Sequence, residues 1–188
     1  QILNADGFKE LLESEHWDIV PGGKYYVTRN NTSILAFKVG TKLDNYSFNI
    51  VTSHTDSPTF KVKENAEIEV KNKYTQLNTE GYGGMLCATW LDRPLSIAGR
   101  VLVSEGNSIV TKLLNIDRDL LMIPNVAIHM NRAANDGFKY NLQVDMLPLL
   151  SGGDDRQKDF KQIIADELGV KKEDILGHDL YLYNRMAP

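Results

Sequence analysis

The chain is 188 residues long, with 42% hydrophobic and 24% charged residues, which are ordinary values for a globular protein with a sizeable core. Its formal net charge of −4 provides no concentrated basic patch, so the sequence predicts no nucleic-acid partner. Cys87 is the one cysteine, which excludes an internal disulfide, and no apolar run approaches the ~20 residues of a membrane span. The sequence therefore predicts no membrane partner and favours a cytoplasmic location.

The first predicted elements, in chain order, are one helix and three strands. Apolar residues recur at helical spacing over residues 4–17, which predicts an amphipathic helix. Pro21-Gly22-Gly23 then interrupts regular structure, and Tyr25–Thr28 with Ser33–Val39 reads as a hairpin. The apolar run Phe48–Ser53 predicts a further strand that leads directly into a histidine.

The pattern changes near residue 60, which is the predicted domain boundary. From Lys61 to Lys71 apolar and charged residues are mixed, as in a half-exposed strand. The glycine and asparagine residues that follow separate further strand-like runs. These predict a mostly β middle region, as a barrel or a sandwich, and they are Leu95–Val103, Ser108–Leu113 and Val126–Met130.

The last third of the chain predicts two helical segments and a closing strand. Apolar residues on one face predict a helix over residues 155–168, with Gly169 as its C-cap. Lys171–Ile175 is consistent with a short helical turn, and Asp179–Tyr183 with a final strand.

The strongest chemical candidate is the pair His54 and Asp56. In an extended backbone, residues two apart project to the same face, so the imidazole and the carboxylate would share one space. An imidazole nitrogen suits zinc, and a nearby carboxylate orients a ligating ring and tunes its basicity. Pro58 would end the strand that presents them. On spacing alone, an ordinary strand-end histidine bonded to a carboxylate remains the favoured interpretation.

The other histidines and the glycine-rich string have simpler interpretations. His129 lies in an apolar run and is expected to be a core group, His16 a surface or cap residue, and His178 a turn residue. Gly81-Tyr82-Gly83-Gly84 is interpreted as a flexible turn, because it lacks dinucleotide-binding spacing. No His-Glu-x-x-His helix, phosphate loop or Gly-x-Ser-x-Gly elbow occurs in the sequence.

Longer strings of residues, taken in order, resemble the aspartyl aminopeptidase family of metallo-aminopeptidases. The resemblance covers nearly the whole chain, and several of its strings are long enough to be specific. The strings are Pro21-Gly22-Gly23-Lys24-Tyr25-Tyr26, Thr28-Arg29-Asn30, Ser53-His54-Thr55-Asp56-Ser57-Pro58, Gly81-Tyr82-Gly83-Gly84, Thr89-Trp90-Leu91-Asp92-Arg93-Pro94-Leu95-Ser96, Ala98-Gly99-Arg100-Val101, Ile123-Pro124 and Ala127-Ile128-His129.

The resemblance implies an α/β fold class. Residues 1–60 would be the first part of an α/β zinc-exopeptidase catalytic domain, and residues 61–188 an inserted, β-rich dimerisation domain. Family members are cytoplasmic enzymes that remove N-terminal residues, often acidic ones, from peptides. They use two metal ions, usually zinc, and form large homo-oligomers, typically tetrahedral dodecamers.

The resemblance also assigns expected roles to three residues. His54 falls on the first metal-binding histidine of the family, and Asp56 on the catalytic aspartate that orients and tunes that site. His129 falls on a histidine that reaches the active site of a neighbouring subunit, near the substrate.

The family's remaining metal ligands and its general-base glutamate lie in strings that these 188 residues do not contain. Two interpretations follow. The chain is part of an active zinc aminopeptidase acting on peptides, or the 188 residues alone are an inactive dimerisation fragment that retains no pair of zinc ions.

Overall fold

The structure is a computed structural model that describes residues 1–45, 47–152 and 159–186. The chain divides into two compact units, Gln1–His54 and Thr55–Pro188, so the division precedes the predicted boundary at residue 60. Within the described ranges, no helix has both the length and the apolar character that crossing a membrane requires.

The first unit contains a short helix and a three-stranded sheet. Helix α1 spans Ile2–Ala5. Strands β1 (Lys9–Glu10), β2 (Lys24–Arg29) and β3 (Ser33–Lys38) follow it, with β2 between the other two. Strand β1 pairs in parallel with β2, and β3 pairs antiparallel with β2. The predicted hairpin is therefore confirmed.

The predicted helix over residues 4–17 is wrong beyond Ala5. Lys9 and Glu10 pair with β2 instead, and the Leu11 amide donates to the Tyr26 carbonyl at 2.8 Å. Sheet pairing thus satisfies backbone groups that a helix would otherwise have satisfied internally. Local periodicity carries no information about a pairing partner so far along the chain, and here the tertiary context overrides it.

The predicted strand over residues 48–53 is also wrong, because residues 47–58 form neither a strand nor a helix. The side chains of Phe48, Ile50 and Val51 are 78%, 79% and 96% exposed. A strand requires a neighbouring strand that accepts and donates its ladder hydrogen bonds. Among the described residues, no strand pairs with this segment.

The second unit is built on a six-stranded antiparallel sheet, in the order β7-β6-β9-β4-β5-β8. Four predicted strands are confirmed within it, although the described strands form one open sheet rather than a barrel or a sandwich. The strands are β4 (Thr59–Val70), β5 (Tyr74–Tyr82), β6 (Leu95–Glu105), β7 (Ser108–Asn115), β8 (Leu149–Gly152) and β9 (Ile175–Asn184).

Helix α2 (Phe160–Leu168) covers one face of this sheet. The Asp159 carboxylate caps the helix by accepting from the Gln162 amide at 3.0 Å, and Gly169 ends it in the left-handed conformation, as predicted. Residues 155–158 of the predicted helix lie outside the described residues. The predicted turn after it is a 3₁₀ helix, Lys172–Asp174.

The hydrophobic core lies between this helix and the inner face of the sheet. Its largest fully buried side chains come from β4, β5, β6, β9, α2 and the loops beside them. They are Phe60, Val62, Leu77, Leu95, Ile97, Val101, Ile116, Ile123, Met146, Phe160, Ile164 and Leu180. The opposite, outer face of the sheet carries both polar side chains and exposed apolar ones, namely Leu102, Ile109 and Leu113.

His178 is not the predicted turn residue, because it lies within β9 and pairs with Val101. Its side chain is only 7% exposed, and its ring packs edge-on against Phe160 with centroids 6.2 Å apart. Its Nδ1 atom has no hydrogen-bond partner among the described residues. Burial lowers the pKa of His178 below its usual value, although Glu64, 4.0 Å from Nε2, acts in the opposite direction.

This burial predicts an acid-sensitive fold. Because the folded state depresses the pKa of His178, its contribution to stability is present above the unfolded pKa of about 6.5 and is lost as the pH falls below it. We expect the free energy of unfolding in urea to fall between pH 7.5 and pH 5 by less in His178→Gln than in the native chain.

The matched control is His16→Gln, since the His16 side chain is 91% exposed. This variant should keep the pH dependence of the native chain. Equal pH dependence in His178→Gln and in the native chain would contradict the assignment of this acid sensitivity to His178.

Candidate functional site

The three predicted site residues lie in irregular, exposed parts of the chain. His54 ends the first unit, and Asp56 lies near the start of the second. Both lie within residues 47–58, which form no strand, so the expected alternation of side chains along a strand does not apply to them. The surroundings of Asp56 are therefore set by the contacts that its side chain makes, and not by a position in a strand.

The Asp56 carboxylate accepts a hydrogen bond from the Tyr82 hydroxyl at the end of β5. Tyr82 is paired with Thr59 in the β4–β5 ladder, so its side chain lies beside the segment that precedes β4. The bond to Asp56 raises the pKa of Tyr82 above its usual value, because an ionised phenol would lose this bond and face a carboxylate.

The turn after Tyr82 also packs against this segment. Gly83 has a φ of +75°, and a Cβ atom added there would lie 3.4 Å from the Pro58 Cα atom and 3.5 Å from Cβ and Cγ. A side chain at residue 83 would have to adopt this strained dihedral, whereas the distances to Pro58 are those of ordinary van der Waals contact. The glycine therefore allows the positive φ of a turn that lies in contact with Pro58.

On the outer face of the sheet, Tyr82 is the first member of a group of polar side chains. The rings of Tyr82 and Tyr181 meet edge to face, with centroids 5.4 Å apart. The Tyr181 hydroxyl donates to Asp179 at 2.9 Å, and Asp179 in turn pairs with Lys61 at 2.9 Å and with Arg100 at 3.3 Å. We call these five residues the Tyr82 network.

Ionisation in this network is set by its ion pairs. The hydrogen bond to Asp179 raises the pKa of Lys61 above its usual value. Burial on its own would raise the pKa of Asp179, but the hydrogen bonds from Lys61 and Tyr181 lower it below its usual value. Both groups are therefore charged near neutral pH, and the pair fixes the ring of Tyr181 beside Tyr82.

His129 is not in a core strand, so the predicted strand Val126–Met130 is wrong. The segment turns instead, with the Met130 amide donating to the Ala127 carbonyl at 2.8 Å. The Asp92 carboxylate accepts from the Asn125 amide at 2.8 Å and holds the start of this turn. His129 is exposed on it rather than buried.

The described residues do not by themselves form a complete zinc site. Among them, no group of three or more His, Cys, Asp or Glu side chains is arranged to hold a metal ion, so His54, Asp56 and His129 are not assembled into one. A catalytic zinc ion requires three protein ligands and an open position. The imidazole of His54 suits zinc as a single ligand, and no complete ligand set accompanies it here.

The polar residues around Asp56 were missed by the sequence interpretation. Tyr82, Tyr181, Asp179 and Lys61 become neighbours only through the pairing of β4 with β5 and β9. Two signals were present in the sequence: the glycines that flank Tyr82, and the spacing of Asp179 and Tyr181, which places both on one face of a strand.

Comparison with known proteins identifies one protein family. Residues 1–187 match the family "Aminopeptidase I zinc metalloprotease (M18)". A "Probable M18 family aminopeptidase 2" from Clostridium acetobutylicum is 48% identical over 187 residues, which cover 96% of this chain and 43% of the relative. The chain thus spans less than half the length of this curated relative.

Solved structures agree with that match. A chain in the cryo-EM structure of the Ape4 and Nbr1 complex has a TM-score of 0.87 at 33% identity, covering 98% of this chain and 39% of that one. The "S. cerevesiae mApe1 dodecamer" has a TM-score of 0.72 at 25% identity, covering 98% and 43% respectively. The chain belongs to the M18 family of zinc metalloprotease aminopeptidases.

Proposed function

We propose that these 188 residues are part of a zinc-dependent aminopeptidase that removes N-terminal residues, acidic ones in particular, from peptides. The observation that carries this proposal is the match of residues 1–187 to a family of zinc aminopeptidases. The acidic preference rests on the resemblance of the sequence strings to aspartyl aminopeptidases.

In this proposal, residues 1–60 begin the catalytic α/β domain and residues 61–188 form the inserted dimerisation domain. The open six-stranded sheet of the second unit supports the β-rich character of that insertion. The division of the chain at His54 supports a change of domain in this part of the sequence.

The proposed roles follow from the chemistry of each side chain. His54 binds one zinc ion through its imidazole, and Asp56 orients and tunes that ligand. His129, exposed on its turn, binds substrate or stabilises the developing oxyanion in the active site of a second subunit. When bound, a pair of zinc ions would activate a water molecule and polarise the scissile carbonyl.

We also propose that the protein self-associates, in the cytoplasm, into a homo-oligomer built from dimers. The similar yeast protein is a dodecamer. A neighbouring subunit is needed if His129 acts in an active site other than that of its own chain. The single cysteine supports a reducing compartment.

The alternative is that residues 1–188 alone are an inactive dimerisation fragment. The absence of a three-ligand metal cluster among the described residues favours this for the isolated chain. The first function concerns a full-length protein that carries these residues, and the second concerns the 188 residues alone. Assaying both proteins therefore distinguishes the two functions.

The test is hydrolysis of an aspartyl or glutamyl chromogenic amide by the 188-residue chain and by a full-length protein that carries it. Each is assayed with zinc, with cobalt and after chelation. We expect metal-dependent turnover by the full-length protein and none by the 188-residue chain. Lack of metal-dependent turnover in the full-length protein would contradict the proposed function, and turnover by the short chain would contradict its inactivity.

A further inference from the structure

A cavity of about 420 Å³ lies in the second unit, beside the start of helix α2. Its volume is within the roughly 300–1,000 Å³ that is usual for small-molecule sites in proteins. Buried apolar side chains form one wall, among them Phe160, Ile164 and Ile175. Its described lining residues include none of those with a proposed catalytic role, so the proposed aminopeptidase activity does not account for the cavity.

Three carboxylates are among the described residues that line the cavity, and two of them already have close partners. Glu67 accepts a hydrogen bond from the first amide of helix α2, and Asp159 pairs with Lys172. Glu64 is different, because its side chain is 72% exposed and its Oε2 atom lies 4.0 Å from Nε2 of His178. That separation is too long for a hydrogen bond, so the accepting capacity of Glu64 is available to a bound molecule.

His178 supplies a second acceptor on the same side of the cavity. Its side chain is only 7% exposed, and its Nδ1 atom has no hydrogen-bond partner among the described residues. Nearly all buried polar side-chain atoms have such a partner, so an unpaired buried ring that lines a cavity is more typical of a binding site than of a core. Burial lowers the pKa of His178, so the ring is neutral near pH 7 and can accept a hydrogen bond.

We propose that this cavity binds a small primary alkylammonium ion, which donates hydrogen bonds to the Glu64 carboxylate and to Nε2 of His178 while its alkyl chain contacts the apolar wall. An ammonium group has a positive charge and three N–H donors, which suit one carboxylate and one neutral imidazole. An ammonium nitrogen about 2.8 Å from each acceptor fits between two atoms that are 4.0 Å apart. Because no group of three or more metal-ligating side chains occurs among the described residues, an organic cation suits this cavity better than a metal ion.

The binding test uses the 188-residue chain, which carries all of these lining residues, with n-butylammonium chloride as the probe at pH 7.5 and constant ionic strength. NMR spectra report the ring signals of His178, which are assigned by their loss in His178→Gln. We expect a saturable shift of these signals with a Kd of about 1 mM, a reasonable value for a ligand of so few non-hydrogen atoms. Neutral n-butanol and anionic butyrate should each bind at least about tenfold more weakly, because they lack the charged donor.

Glu64→Gln is the discriminating variant, because it removes the charge and keeps the size of the side chain. Glu69→Gln is the matched control, since Glu69 is also exposed on β4 but does not line the cavity. Circular dichroism confirms that both variants are folded. We expect Glu64→Gln to raise the Kd for n-butylammonium by about tenfold or more, as for a lost hydrogen bond to a charged group, and Glu69→Gln to leave it within about twofold.

A loss of affinity confined to Glu64→Gln, together with the shift of the His178 signals, would support both acceptors. Equal affinities in Glu64→Gln and Glu69→Gln would overturn the proposal, as would the lack of a saturable shift at probe concentrations well above the expected Kd. If n-butanol bound as tightly as n-butylammonium, the cavity would recognise only the alkyl chain and the proposed ligand class would be wrong. Preferential binding of butyrate would likewise overturn it and point to Lys161 and Lys172 as the recognising groups.

Discussion

His54→Ala in the full-length enzyme is expected to reduce kcat/KM by more than about 100-fold, beyond the loss that follows removal of an outer hydrogen-bond partner. The reason is the direct zinc ligation that we propose for His54. A zinc ion held by three protein ligands loses one of its bonds when an imidazole is removed, whereas an outer partner only changes the orientation of a ligand. Zinc content after dialysis, measured beside activity, should fall in the same variant.

His16→Ala is the control, because the His16 side chain is 91% exposed and takes no part in the proposed site. It should retain both the zinc content and the kcat/KM of the native enzyme. Full activity together with full zinc content in His54→Ala would show that this histidine binds no catalytic metal. The single substitution thus tests both zinc binding and catalytic activity.

Gly99→Ala is expected to disrupt the six-stranded sheet where β6 pairs with β9. Gly99 pairs with Leu180 across β6 and β9, and an added Cβ atom would lie 2.2 Å from the Asp179 carbonyl oxygen and 3.0 Å from the Leu180 Cα atom. Both obstacles are backbone atoms, so relief requires the two strands to separate. We expect the free energy of unfolding to fall by about 3 kcal/mol or more, the upper end for overpacking.

For a chain of this length, that loss corresponds to a decrease in Tm of roughly 6–12 °C. Thermal unfolding followed by circular dichroism measures it, with Gly152→Ala as the control. A Cβ atom at residue 152 would meet only the Tyr74 Cβ atom at 3.7 Å, an ordinary contact. Equal melting temperatures for the two variants would mean that β6 and β9 are not as closely apposed at Gly99 as described.

The strands that sequence patterns identified correctly share one property. Apolar residues alternate with polar ones, or form short runs, in β4, β6, β7 and β9. Each of these strands also has a neighbouring strand in the sheet, so the local pattern and the tertiary pairing agree. The segments over residues 4–17 and 126–130 fail because their backbone groups are satisfied elsewhere, by β2 in one case and by a tight turn in the other.

The candidate site likewise has residues that the sequence predicts and a contact that it does not predict. His54 and Asp56 are predicted from the sequence, because residue type and a specific string point to zinc chemistry. The partner of Asp56 could not be found from the sequence, because Tyr82 reaches it only through the pairing of Thr59 with Tyr82. A one-residue shift in that register would turn the tyrosine to the opposite face of the sheet.

The place of β4 in the strand order also affects the local stability of the residues next to Asp56. β4 begins at Thr59 and is hydrogen-bonded to β9 on one side and β5 on the other. Interior strands are among the last parts of a fold to exchange their amide protons, since opening them requires nearly global unfolding. Pro58 is covalently joined to such a strand, so the residues on the C-terminal side of Asp56 should be among the last parts of the second unit to open.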